Sequence, residues 1–111
     1  MTIACEKSGD TLVASLQGQL NSVNSAAAET ELVSHVSQGC AKFALNFSQL
    51  DYISSAGLRV VLVLAKRLKQ SNGKLVLFGL QPHVREVFEI SGFLAILNVT
   101  ETREQALAQF D

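Results

Sequence analysis

The sequence holds one proline, two cysteines and two histidines, and its longest unbroken apolar run is the six residues VVLVLA at 60–65. A run of that length is far too short to span a bilayer. The first ten residues, MTIACEKSGD, carry acidic residues where a secretion signal would carry its apolar segment, so the expected location is the cytoplasm, with no membrane insertion. Scarce proline, with no glycine or serine bias, excludes a disordered or linker-like chain. Basic residues are scattered and the formal net charge is −1, which leaves no electrostatic footprint for a nucleic-acid backbone. Cys5 and Cys40 lie far apart in apolar stretches, and read as buried thiols in a reducing compartment, without a disulfide.

What is present is apolar: 48% of the 111 residues, enough for one domain over 1–111 with a core of its own. TLVASLQGQL alternates Leu12, Ala14 and Leu16 with more polar neighbours, the period of a strand, and a short strand in TIACE precedes it. NSVNSAAAETELVSHVSQG turns to helical habit, with Ser22, Asn24 and Ser25 as candidate N-caps, Leu32, Val33 and Val36 as the apolar stripe, and Gly39 as the stop. AKFALNF and KLVLFG read as central strands.

Between them, Leu58, Val61, Leu62, Ala65 and Leu68 recur at helical spacing, with Arg59, Lys66 and Lys69 on a polar strip. The remaining sides of that helix, including Val60, Val63 and Leu64, are assigned to the core. Pro82 suits the first turn of a third helix that buries Val84, Val87 and Phe88 and ends at Gly92. FLAILNV follows as an apolar connection or short strand, and Thr102 with Gln105 forms a capping box for a last helix bearing Ala106, Leu107 and Phe110. Alternating strands and helices predict an α/β fold, a mostly parallel central sheet of roughly four to five strands with about four helices.

Catalytic sets are thin. His35 falls inside the first helix and His83 at the start of the third, neither in a glycine-rich loop, and SSAGL is not the G-x-S-x-G elbow of a hydrolase. The cysteines and histidines lack the close pairings of a zinc site, and no phosphate-cradling glycine motif is present. The chain is therefore expected to be no enzyme and to need no cofactor or metal. What stands out is DYISSAGLRVVLVLAKRL at 51–68, where Ser54 and Ser55 precede a long helix. Either hydroxyl suits the N-cap, and the unpaired amides and positive dipole end of such a helix also suit a phosphate. Arg59, four residues past Ser55, lies one turn along on the same side.

The stretch LNFSQLDYISSAGLRVVLVLAKRLKQSNGKLVLFGLQPHVREVFEISGF resembles the core of the STAS domain of bacterial anti-sigma factor antagonists and sulfate transporters. LVASLQGQLNSVNSAAAETEL is similar to that family's second strand and first helix, so the resemblance covers nearly the whole chain. The missing membrane spans favour the antagonist branch. The resemblance implies a motif Asp-Ser-Ser/Thr-Gly-Leu whose first serine is phosphorylated by a partner anti-sigma kinase. Laid over SSAGL, it puts Ser54 at the aspartate, Ser55 at the phosphoacceptor, Ala56 at the second hydroxyl residue, and Gly57 and Leu58 at the glycine and leucine. The family's other common acid, in Gly-x-Leu/Ile-Asp, falls on Asn21 of GQLN.

Partner switching is the expectation that follows. Asn21, Ser22, Asn24, Ser54, Ser55, Ala56, Gly57, Leu58 and Arg59 would bind an anti-sigma factor that is also a serine-protein kinase, phosphorylation of Ser55 would release it, and a PP2C-type phosphatase would reset the switch. The two neutral replacements at Ser54 and Asn21 motivate an alternative, a constitutive STAS interaction subunit of a transport or signalling complex that is never phosphorylated.

Overall fold

The computed structural model describes residues 1–110 and consists of a five-stranded sheet with helices on both faces. In chain order the elements are β1 (Thr2–Ser8), β2 (Thr11–Leu20), α1 (Ser25–Ser37), β3 (Lys42–Ile53), α2 (Ser55–Gln70), β4 (Lys74–Phe78), α3 (Pro82–Ile90), a one-turn 3-10 helix (Phe93–Ala95), β5 (Asn98–Thr100) and α4 (Arg103–Ala108). Spatial order equals chain order, β1-β2-β3-β4-β5, with β1 antiparallel to β2 and every other pairing parallel. The β1–β2 hairpin closes on Gly9 and Asp10, with Gly9 at a φ of 62° that favours glycine.

Side chains sort onto two faces by strand alternation. Leu12, Ala14, Leu16, Phe43, Leu45, Phe47, Leu75 and Leu77 point to the face packed by α1, α2 and α3, where they meet Leu32, Leu58, Val61, Leu64, Leu68, Val84 and Phe88. Phe47 and Phe88 stack edge to face with centroids 5.8 Å apart, which fixes α3 over β3. Val13, Ala44, Val76 and Phe78 point the other way, and α4 covers them with Ala106, Leu107 and Phe110. Both faces of the three middle strands are thus covered, as expected for β3 and β4, while β2, read from its alternation as a strand with one better-buried side, also buries Val13 on the second face.

The expected α/β sheet and its helices are present. Thr102 and Gln105 close the capping box, the Thr102 hydroxyl accepting from the Gln105 amide at 3.1 Å. Val60 and Leu64 are buried, and Val63 is half-buried where α2 faces α1.

Three readings change. β3 does not end at Phe47 but runs to Ile53, because two irregularities in its pairing with β2 insert extra residues after Asn46 and before Tyr52. Such bulges break the two-residue alternation and hide the rest of the strand. Asn24 holds the N-cap position of α1, but its side chain turns back towards Asn21 instead of capping. The cysteines are not buried: Cys5 is exposed on the edge strand β1 and Cys40 is half-buried in the approach to β3. Cys5 Sγ lies 3.6 Å from His35 Nε2, and partial burial, with Glu31 and Cys40 nearby, pushes its thiol above the usual range.

Candidate functional site

Parallel strands deliver their C-terminal ends to one rim of the molecule, where β2 and β3 finish beside the start of α2. Leu20, the last residue of β2, is fully buried, and its carbonyl accepts from the Ser54 amide at 2.9 Å. That bond ties the β2–α1 loop to the N-terminus of α2. Gly57 completes the junction: a Cβ there would lie 2.7 Å from Ile53 Cγ1 and 2.9 Å from the Leu20 carbonyl oxygen, so only glycine fits.

The two serines divide their tasks. Ser54, extended at φ −93° and ψ 174°, is the N-cap, its hydroxyl accepting from the Gly57 amide at 3.2 Å and its carbonyl accepting from Leu58 at 2.9 Å. Ser55 is the first helical residue and is exposed, and among the described residues its hydroxyl has no hydrogen-bond partner. The amides of Ser55 and Ala56 lack a carbonyl one turn back, as at every helix start. Arg59 is exposed on the same side and forms no ion pair among the described residues. Ala56 is half-buried, and Gly57 and Leu58 are buried, so those two support the rim from below.

The β2–α1 loop is held by its own asparagines. Asn21 Oδ1 accepts from the amides of Val23 at 3.0 Å and Asn24 at 3.3 Å, and Asn24 Oδ1 accepts from the Asn21 amide at 3.0 Å. Asn24 Nδ2 donates to the Gln19 carbonyl at 2.8 Å. These four bonds brace the loop from within, and Ser22 is left exposed.

Two further residues belong to this rim. Val23 is 91% exposed and Tyr52 is 48% exposed. Val23 stands in the sequence as a lone apolar residue inside NSVNS, whereas Tyr52, two residues past the buried Leu50, carries no such signal, because a bulge in the β2–β3 pairing separates the two. A carboxylate also remains here, since Asp51 is exposed and Gln81 Nε2 approaches its Oδ1 at 3.4 Å. Neither histidine joins the serines: His83 Nε2 meets the Asp51 carbonyl, and His35 meets Cys5. Among the described residues no group of three or more His, Cys, Asp or Glu side chains is arranged to hold a metal ion.

The scaffold is a mostly parallel sheet whose second parallel crossover carries an exposed serine at the helix start. The chain belongs to the STAS domain family, whose model matches residues 2–106. A protein of Bordetella bronchiseptica named "Putative anti-sigma factor antagonist BtrV" is 53% identical over 110 residues, spanning 99% of this chain and 95% of that protein. An anti-sigma factor antagonist from Mycobacterium paratuberculosis has the same fold, with a TM-score of 0.89 at 19% identity, over 97% of this chain and 92% of that one. The Bacillus cell fate determinant SpoIIAA in its phosphorylated form superposes with a TM-score of 0.76 at 24% identity, over 99% of this chain and all (100%) of that one. By homology this chain groups with the anti-sigma factor antagonists of the family. Among the described residues no helix is long and apolar enough to cross a membrane.

Proposed function

We propose that the chain is an anti-sigma factor antagonist that works by partner switching. Unmodified, it docks the rim formed by Asn21, Ser22, Asn24, Ser54, Ser55, Ala56 and Arg59, with Gly57 and Leu58 supporting it from beneath, onto an anti-sigma factor that is also a serine-protein kinase. Phosphorylation of Ser55 adds about −1.5 to −2 charges to a surface that must lose its water on docking, and the complex dissociates. A PP2C-type phosphatase then restores the binding form. The protein acts as ligand and substrate in this cycle and carries out no catalysis itself.

The observation that supports this reading best is the division between the two hydroxyls. Ser54 is occupied in capping, whereas Ser55 is exposed and unpartnered at a helix N-terminus with Arg59 one turn on. The phosphorylated form of SpoIIAA, a neighbour with this fold, supports it. Mass spectrometry of the protein from its native cells, growing and stressed, tests the modification: a phosphate on Ser55 that varies with condition is expected. Absence of phosphate under every condition would sink the switch and leave the second reading, a constitutive interaction subunit, which the neutral Ser54 and Asn21 favour. Ser55→Asp that binds the partner kinase as tightly as wild type would remove the charge-blocking step.

A further inference from the structure

At the opposite end of the sheet from Ser55, the C-terminal half of α2 and the starts of β4 and β5 enclose a cleft of about 450 Å³. Its walls are Leu62, Ala65, Lys66 and Lys69 of α2, Gly73 to Leu75, and Ile96 to Asn98. The cleft exists because α3 is nine residues long and is anchored over β3 by the Phe88–Phe47 pair, while β5 is three residues long and is reached through a single 3-10 turn. Among the described residues nothing further covers this flank of α2, and Ile96 stands 68% exposed at the lip.

Charge is unevenly placed around this apolar floor. Lys66 and Lys69 are exposed and in no ion pair among the described residues. Lys74 also lines the cleft, but its ammonium donates to the Gln109 carbonyl at 2.7 Å and is occupied there. Cations in the last turns of a helix complement its dipole, which accounts for the lysines but not for the uncovered apolar residues beneath them. A volume of roughly 300–1,000 Å³, mostly apolar with a few polar groups at the edge, is the usual form of a small-ligand site.

We propose that this cleft binds a single-chain amphipathic anion, an acyl or aryl carboxylate, with its apolar group on Leu62, Ala65, Leu75 and Leu97 and its carboxylate at Lys66 and Lys69. Walls on three sides suit a compact ligand. Binding here is independent of Ser55 and of the partner-switching reading.

Decanoate, kept below its micelle range, is the probe, followed by amide chemical-shift perturbation in the full chain. Saturable shifts confined to residues 62–75 and 96–98 are expected, with no such response to decyltrimethylammonium. Lys66→Glu with Lys69→Glu, both on exposed positions, weakens decanoate binding by about tenfold or more, since two charge-assisted contacts become repulsive. Ala65→Phe, checked by its thermal unfolding to remain folded, fills the floor and abolishes binding. The proposal is overturned by an absence of shifts up to several millimolar, by equal binding of the ammonium probe, or by affinity unchanged in the lysine variant. Sedimentation with phosphatidylglycerol vesicles in the absence of decanoate binding would also overturn it, pointing to a membrane surface instead.

Discussion

The Ser54 amide donates to the Leu20 carbonyl at 2.9 Å, and Gly57, three residues on, leaves no room for a side chain against the same carbonyl. The two loops of the candidate site are therefore one mechanical unit. A change on either side of this contact reaches the other.

Gly57→Ala places a methyl group within 2.9 Å of backbone oxygen and 2.7 Å of the Ile53 side chain. The expected cost is about 1–3 kcal/mol, the range for forcing extra volume into a packed site. Chemical denaturation measures it, and amide shifts at Asn21 to Asn24 should move together with those of α2. A variant as stable as wild type would mean the junction yields.

Ser54→Ala removes the cap that Gly57 donates to, costing about 1 kcal/mol, while Ser54→Asp preserves the cap and stays within about 0.5 kcal/mol of wild type. Ser55→Ala, whose hydroxyl has no partner among the described residues, should be nearly neutral for stability. Thermal unfolding of the three variants checks this order. Reversal of Ser54 and Ser55 in it would contradict the division of tasks between them.

Tyr52→Ala and Val23→Asp test the rim beyond the motif. Val23 is almost wholly exposed and Tyr52 about half, so folding should change by less than about 1 kcal/mol. Binding of the proposed partner kinase, measured by calorimetry, should weaken by about tenfold or more for each, from a lost aromatic anchor and from a charge inserted into the contact. Wild-type affinity in both would confine the interface to the start of α2.

Cys5 is exposed, yet partial burial first, and then Glu31 and Cys40, hold its thiol above the ordinary range. Alkylation at neutral pH should be slower than for a free thiol and should rise with an apparent pKa above the usual one. Because the folded pKa is raised, the thiol's contribution to stability is full below the unfolded pKa. It is lost as pH rises through the folded value. Iodoacetamide labelling followed by mass spectrometry across alkaline pH reads the titration directly.

Much of this architecture is written in local pattern. Leu12, Ala14 and Leu16, then Phe43, Leu45 and Phe47, declare strands by alternation, and Thr102 with Gln105 declares a helix start by its own hydrogen bonds. The family resemblance points to Ser55 and to the residues around it, but spacing alone leaves either serine free to cap the helix, and only the geometry assigns the cap to Ser54. β3 beyond Phe47 was hidden by bulges, which are a property of its pairing with β2 and not of its own residues. The exposure of Cys5 was hidden for a related reason: an apolar neighbourhood in the chain does not say that β1 lies at the sheet edge. FLAILNV reads equally as strand or connection, so the cleft beside α2 left no mark in the sequence.

The identity of spatial and chain order in the sheet has a bearing on how the molecule comes into being. For each of β2, β3, β4 and β5 the strand it pairs with on its N-terminal side has already been synthesised when it is made. No strand must wait, edge bare, for a segment still to be made between two earlier ones. The longest reach back is made by α4, which closes the second face and whose Arg103 pairs with Glu6 of β1 at 2.6 Å.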